Sequence, residues 1–158
     1  MPFNSRGEKM SGVNPFVQQS TLNRVRVSVI TPSFPSLSIP SSYMGKRFAT
    51  FRPEDPFVHQ APTGTGIVNS PEPYVMALIE VNLLRTLALT EAWIEQCENQ
   101  SIVGDVTIHS DTAAFRARTI HNAVARMLQP GQFDGIDPGA TLVFSGVWYV
   151  NQSLWAGL

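Results

Sequence analysis

Residues 74–98 constrain the fold of this chain most, because their hydrophobic period changes partway along. From Tyr74 to Leu84 hydrophobic side chains occupy alternate positions, which is typical of a β-strand with one buried face. From Leu87 to Glu98 the spacing becomes three and four residues, which predicts a short amphipathic helix with Thr90 as its N-terminal cap. A long strand that leads directly into a helix indicates a folded domain with a sheet and at least one helix packed near it.

Four further segments have the alternation or the composition of β-strands. The segment Ala140–Val150 is the richest in β-branched and aromatic residues, and Gly146 within it predicts a bulge or the close approach of another backbone. The other three predicted strands are Leu22–Thr31, Tyr43–Phe51 and Val103–His109. The sequence therefore predicts a mainly β (α+β) domain spanning residues 22–158.

Two regions outside these strands are predicted to lack regular structure. Residues 1–21 are polar and broken by proline and glycine, and we interpret them as an N-terminal arm that is either disordered or ordered against a neighbour. Residues 52–73 contain five prolines and two glycines, and we interpret them as one long loop. A loop of this length inside a domain usually has a function or forms an interface.

A small set of residues is our candidate for an oligomer interface. The loop contributes Phe57, Gly64 and Gly66, and a terminal aromatic side chain, Trp155, has little core left to join. In the first predicted strand Arg24 and Arg26 share one face, which is either exposed to solvent or part of a subunit interface; the sequence leaves both open.

The secondary structure of the segment Ala113–Leu128 has two possible interpretations. Hydrophobic residues at helical spacing, together with many alanines and arginines, favour a helix. A weaker alternation across the same residues is compatible with a strand. Residue pattern alone does not decide between them.

Charge and composition exclude some classes of protein. The net charge is −1, so no basic excess indicates a nucleic-acid groove. No segment of the sequence has the hydrophobic length of an export signal or a membrane span, and we expect synthesis in the cytoplasm. Only 15% of the residues are charged, against roughly 25% in average soluble domains. Identical subunits that cover the surface would explain this, and so would a small β protein rich in serine, threonine and asparagine.

No set of residues predicts catalysis or a bound metal. The three histidines, His59, His109 and His121, lack metal-ligand spacing, and the single Cys97 offers no thiolate cluster. Asp105 and Asp111 would form an acid–base pair only if a cleft brought them together. We expect neither an enzyme nor a cofactor.

The order of elements resembles the tail-tube family of contractile bacteriophages and related injection machines. The strand and helix of residues 74–98, the segment VGDVTI (Val103–Ile108) and the segment FSGVWYVNQSLW (Phe144–Trp155) carry this resemblance, over roughly the second half of the chain. The proline-rich first half departs from the family pattern, which leaves the role of the loop in doubt.

The resemblance implies an antiparallel β-barrel or sandwich with one flanking helix at about residues 87–98. It also favours a strand over a helix for residues 113–128, since a sheet completed across subunits can override local propensity. Homohexameric rings would stack into a tail tube within the virion. DNA would pass through the lumen without specific binding, and the other partners would be sheath and baseplate proteins.

Two other functional classes stay open at this point. A tail terminator, connector or baseplate component would form a ring but no tube. A small-molecule-binding β-barrel would need a closed pocket in a monomer, and no residues in the sequence single out such a pocket.

Overall fold

Six antiparallel strands form the wall of a nearly closed β-barrel in the computed structural model, which describes residues 26–113, 115–131 and 135–155. Around the wall the strand order is β1-β6-β7-β8-β5-β2, and a separate pair, β3 and β4, forms a hairpin. The strands are β1 (Val27–Ile30), β2 (Met44–Pro53), β3 (Val58–Pro62), β4 (Ile67–Pro71), β5 (Tyr74–Leu84), β6 (Ile102–Ser110), β7 (Arg118–Gln129) and β8 (Gly139–Tyr149). The prediction of a mainly β fold is confirmed.

The strand β5 is the centre of the hydrophobic core, as its alternation predicts. It pairs with β8 along its whole length, from Tyr74 opposite Tyr149 to Leu84 opposite Gly139. The alternate side chains that face the barrel interior are all at most 1% exposed: Val75, Ala77, Ile79, Val81 and Leu83. Successive side chains of a strand point to opposite faces, so this register buries all five of these alternate side chains on the same face.

The predicted helix is α1 (Ala88–Asn99), and it packs against the barrel through Trp93. The Trp93 ring meets the ring of Phe144 edge to face, with centroids 5.2 Å apart, and its indole N–H donates to the Leu37 carbonyl at 2.9 Å. Thr90 is not the N-terminal cap that the sequence predicts, because the helix begins earlier, after Leu87. Its buried hydroxyl instead donates to the Leu84 carbonyl at 2.8 Å, which joins the helix to the end of β5.

The ambiguous segment is a strand. β7 occupies Arg118–Gln129 and pairs with both β6 and β8, so tertiary pairing overrides the helical propensity of this segment. Its register with β8 shifts twice, and Asn122 adopts a positive φ of 50° at the first shift. A side chain at Gly146 would meet the His121 carbonyl at 2.8 Å, so the predicted close approach of another backbone is confirmed.

The prediction of one long loop over residues 52–73 is wrong. β2 runs to Pro53, and β3 and β4 form an antiparallel hairpin in which Val58 lies opposite Pro71 and Pro62 opposite Ile67. The prolines of this region concealed the hairpin from sequence analysis. Pro62 and Pro71 are the last residues of their strands, where proline is tolerated, rather than interior residues.

The chain ends, within the described residues, in a short helical turn, α2 (Gln152–Trp155). Neither helix of the described residues is long and apolar enough to cross a membrane. The predicted arm, residues 1–21, lies outside the described residues.

Candidate subunit interface

The β3–β4 hairpin carries three of the residues that the sequence predicts for an interface. Gly64 and Gly66 lie in the turn at its tip, and Phe57 lies at its base. At the tip the Thr63 amide donates to the Gly66 carbonyl at 2.7 Å, and the Thr63 hydroxyl accepts from the Gly66 amide at 3.0 Å. A side chain at either glycine would meet no atom within 4 Å, so the tip is surrounded by open space.

Both faces of the hairpin are exposed to solvent. Ile67 is 62% exposed and Val68 56%, and these neighbours point to opposite faces because they are consecutive residues of one strand. An isolated two-stranded hairpin is at best marginally stable in water. Exposed branched aliphatic side chains on both faces indicate a surface suited to contact with another molecule.

One side chain, Asn151, fixes the base of the hairpin. Its amide nitrogen donates to the carbonyls of both Phe57 and Glu72, each at 2.8 Å, and so bridges the residues that precede β3 and follow β4. Asn151 has a positive φ of 52°, a conformation that asparagine adopts more readily than most residues. Sequence analysis missed this residue; an asparagine directly after a strand is only a weak signal of such a role.

Phe57 also contributes to the base. Its ring lies 5.8 Å from the ring of Trp148, which in turn lies 5.0 Å from the ring of Phe51 in an edge-to-face contact. The Phe57 side chain is 44% exposed, so it packs on its own barrel and still presents an aromatic surface. It therefore helps to set the direction in which the hairpin leaves the barrel.

The contacts of Arg26 and Trp155, the other two predicted interface residues that the structure describes, do not involve the hairpin tip. Arg26 is exposed and precedes β1, where its backbone amide donates to the Asp111 carboxylate at 3.1 Å. Trp155 is 40% exposed in α2. Arg24 lies outside the described residues.

A groove at the gap in the barrel is a second feature that sequence analysis missed. The cavity measures about 670 Å³, and it is lined by residues of both edge strands, β1 and β2, by residues of β6, and by residues at and just before the start of β7. Further along β1, Val29 exchanges two backbone hydrogen bonds with Ile39, so that part of the edge is covered. The gap groove contains the aromatic side chains of Phe48, Phe51 and Phe115 and the cationic side chains of Lys46, Arg47, Arg116 and Arg118.

Two contacts between charged side chains outside the groove share no residue. Arg126 contacts Glu54 at 2.9 Å, and His121 contacts Asp105 at 3.2 Å. Asp111 does not join Asp105, because its carboxylate accepts from the amide of Arg26. No group of three metal-ligating side chains exists within the described residues.

The other histidines and the cysteine have similarly isolated surroundings. His59 contacts Glu72 at 3.2 Å at the side of the hairpin, and His109 lies at the gap groove. Cys97 is a half-buried free thiol on α1, and burial raises its pKa above the ordinary value. A higher pKa means less thiolate at neutral pH and therefore weaker nucleophilic character.

No protein-family model matches this sequence, and no curated protein is significantly similar to it. We therefore infer the function from the geometry of the hairpin and the barrel.

Proposed function

We propose that this chain is a structural protein of a bacteriophage virion, the subunit of a homohexameric ring that stacks into a tail tube through which DNA leaves the particle. The observation that carries the proposal is the combination of a stable barrel with a preformed hairpin whose hydrophobic side chains are exposed on both faces. A subunit that functions alone would gain nothing from such a hairpin, whereas a stacked subunit would bury it.

The open edges of the barrel support the same proposal. Within the described residues, β2 has one neighbouring strand in its sheet, β5, so its outer edge is unpaired, whereas the outer edge of β1 is partly covered by the bridge between Val29 and Ile39. Unpaired edges expose backbone donors and acceptors and favour association with further strands. A closed ring of identical subunits covers such edges without leaving any free end.

Charge is compatible with a conduit for DNA. The outward face of β5 carries Glu80 and Asn82, and the nearest cation on β2, Arg52, lies on the same face. This face therefore combines charges of both signs, and such a surface does not bind phosphates strongly. DNA that passes through a conduit should bind its wall only weakly, and a face with charges of both signs meets this requirement.

The partners of the proposed tube follow from its place in the virion. The outer surface would contact sheath proteins, and the end of the tube would contact baseplate proteins. The protein would be made in the host cytoplasm and would remain in the virion tail. On this proposal the chain is not an enzyme and needs no cofactor.

Oligomeric state is the test. We expect light scattering of the purified chain to give a mass several times that of the 17.4 kDa subunit, and negative-stain microscopy to show rings and tubes at high concentration. Rings without tubes would favour a terminator, connector or baseplate component. Monomers at every concentration would contradict the proposal.

A further inference from the structure

We propose that the gap groove binds the β3–β4 hairpin of a second copy of this chain. The inference rests on the proposed function, because it requires that copies of the chain associate, and it names the two surfaces that meet. The groove shares no lining residue with β3 or β4, so one copy can offer one surface to each of two neighbours. Such a head-to-tail contact can repeat along a stack.

The chemistry of the groove defines what it can bind. Its lining includes the aromatic side chains of Phe48 and Phe115, the latter 52% exposed, and the aliphatic side chain of Ile108. Four cationic side chains border it, and no aspartate or glutamate lines it within the described part of the chain. Lys46, Arg47 and Arg116 are exposed to solvent. The groove therefore fits a partner that is apolar at its centre and acidic at its margin.

The hairpin has this chemistry. Residues 53–73 contain three acidic residues, Glu54, Asp55 and Glu72, and no lysine or arginine. All three acidic residues lie at its base, where Glu54 also contacts Arg126, Glu72 contacts His59 and Asp55 accepts from the Met76 amide. The tip is uncharged and presents Ile67 and Val68. With the tip against the apolar lining of the groove, the acidic base would face its cationic side chains.

Backbone pairing adds a second reason for the match. β2 borders the groove and has an unpaired outer edge, and each hairpin strand pairs only with the other within the described residues. An added strand gains main-chain hydrogen bonds at such an edge, while side chains on alternate positions enter the groove. The hairpin is already extended and fixed by Asn151, so little ordering entropy is lost on docking.

The N-terminal residues of the chain are the main competing occupant, because they lead directly to β1. Residues 1–25 contain three basic residues, Arg6, Lys9 and Arg24, against one acidic residue, Glu8. Their charge has the same sign as that of the groove, so docking there would bring like charges together. Charge complementarity favours the hairpin.

Photo-crosslinking of the full chain tests which surfaces meet. Val68 is replaced by the photoreactive residue p-benzoylphenylalanine, and ¹⁵N-labelled and unlabelled copies are mixed so that mass spectrometry separates links between copies from links within one copy. We expect links between copies to map to residues 46–51 and 115–118. The same photoreactive residue at Glu95, an exposed position on α1, is the control and should not link to the groove.

Charge reversal tests the same contact without a chemical probe. The double variant Lys46→Glu and Arg116→Glu should weaken assembly at least about tenfold, because the groove border would then repel the hairpin base. The further changes Asp55→Lys and Glu72→Lys should restore assembly when combined with that variant. Circular dichroism of each variant verifies that the barrel is folded.

The outcomes separate this inference from the proposed function. Rings or tubes whose Val68 links map elsewhere, or whose assembly is unaffected by the reversed groove, would overturn the hairpin contact and leave the tube intact. The same photoreactive residue at Val13 tests the N-terminal segment, and links from it to the groove would overturn the inference. A wild-type chain that stays monomeric would overturn both.

Discussion

The barrel wall and the hairpin place similar residues in opposite environments. In β5 the inward hydrophobic side chains are at most 1% exposed, whereas in β3 and β4 every residue except Pro71 is exposed. Both regions are antiparallel pairs with regular hydrogen bonds. Pairing alone therefore does not explain stability in this molecule, and the buried face of the wall makes the difference.

This contrast separates the parts that stabilise the fold from the parts available for contact. A region with few buried contacts opens at a low free energy, while the core opens only with the whole domain. We expect substitutions in the wall to change global stability and substitutions in the hairpin to change assembly.

The largest loss of stability is expected for Trp93→Ala. Trp93 is fully buried, contacts the Phe144 ring and donates a hydrogen bond to Leu37. Removal of a buried tryptophan side chain costs about 3–5 kcal/mol, through lost burial and the cavity that remains. Urea denaturation followed by circular dichroism measures the change.

The matched control for this prediction is Trp155→Ala, because Trp155 is 40% exposed. A surface substitution of this kind changes stability by only about 0.5 kcal/mol or less. Equal losses for the two tryptophans would contradict the division between the wall and the exposed end of the chain.

A smaller loss is expected for Gly146→Ala. The added methyl group would lie 2.8 Å from the His121 carbonyl and 3.2 Å from Ala123, so β7 and β8 would have to separate. Overpacking of this kind costs about 1–3 kcal/mol. Thermal unfolding of the purified variant measures it.

Gly66→Ala at the hairpin tip is the control for the glycine in the wall. No atom lies within 4 Å of the added methyl group there, so we expect no measurable loss of stability. If Gly66→Ala destabilised the chain as much as Gly146→Ala, close packing would not be the reason for glycine at position 146.

The sequence predicted the wall better than the hairpin, and the reason is physical. One face of β5 is buried within its own chain, so hydrophobic side chains alternate along the strand and the sequence alone predicts it. The strand at β7 needed more than local pattern, because its pairing with β6 and β8 outweighs its helical propensity. The fold class that the sequence predicts is therefore confirmed.

The hairpin and the gap groove could not be found in this way. Neither face of the hairpin is buried in its own chain, so residues 58–71 show no alternation of hydrophobic and polar side chains that would predict a strand. The groove combines residues 46–51 with residues 108–110 and with Phe115, Arg116 and Arg118, which only the closing of the barrel brings together. The bridge from Asn151 to Phe57 and Glu72 spans 94 and 79 positions and likewise leaves no local signal.

A small effect of pH on stability is expected at Cys97. Burial raises the pKa of its thiol, so the folded chain holds the proton at a pH at which the unfolded chain has begun to lose it. This contribution to stability is present below the ordinary thiol pKa and is lost as the pH rises through the higher value of the folded state. Urea midpoints should therefore fall slightly in alkaline solution.

The Cys97→Ser variant isolates this effect, because it lacks the titrating thiol. The difference in urea midpoint between wild type and variant should be constant near neutral pH and should change only in the alkaline range. The folded thiol should also react with iodoacetamide more slowly than the same thiol in urea. A folded rate equal to the unfolded rate would show that burial does not hold the proton.

The smallest global effect and the clearest local one are expected for Asn151→Gly. Glycine keeps the positive φ of 52° and removes only the amide that bridges Phe57 and Glu72, so the wall is untouched. Loss of two hydrogen bonds corresponds to about 1–3 kcal/mol of hairpin anchoring. Hydrogen exchange of the amides in residues 58–71 should accelerate while the urea midpoint stays unchanged.

The control is Asn69→Ala, which removes a hydrogen bond to Gln60 within the hairpin but leaves the base of the hairpin intact. Its effect on assembly should therefore be weaker than that of Asn151→Gly. If Asn151→Gly loosened the hairpin and assembly were unimpaired, a fixed hairpin direction would not be what the neighbouring copy recognises.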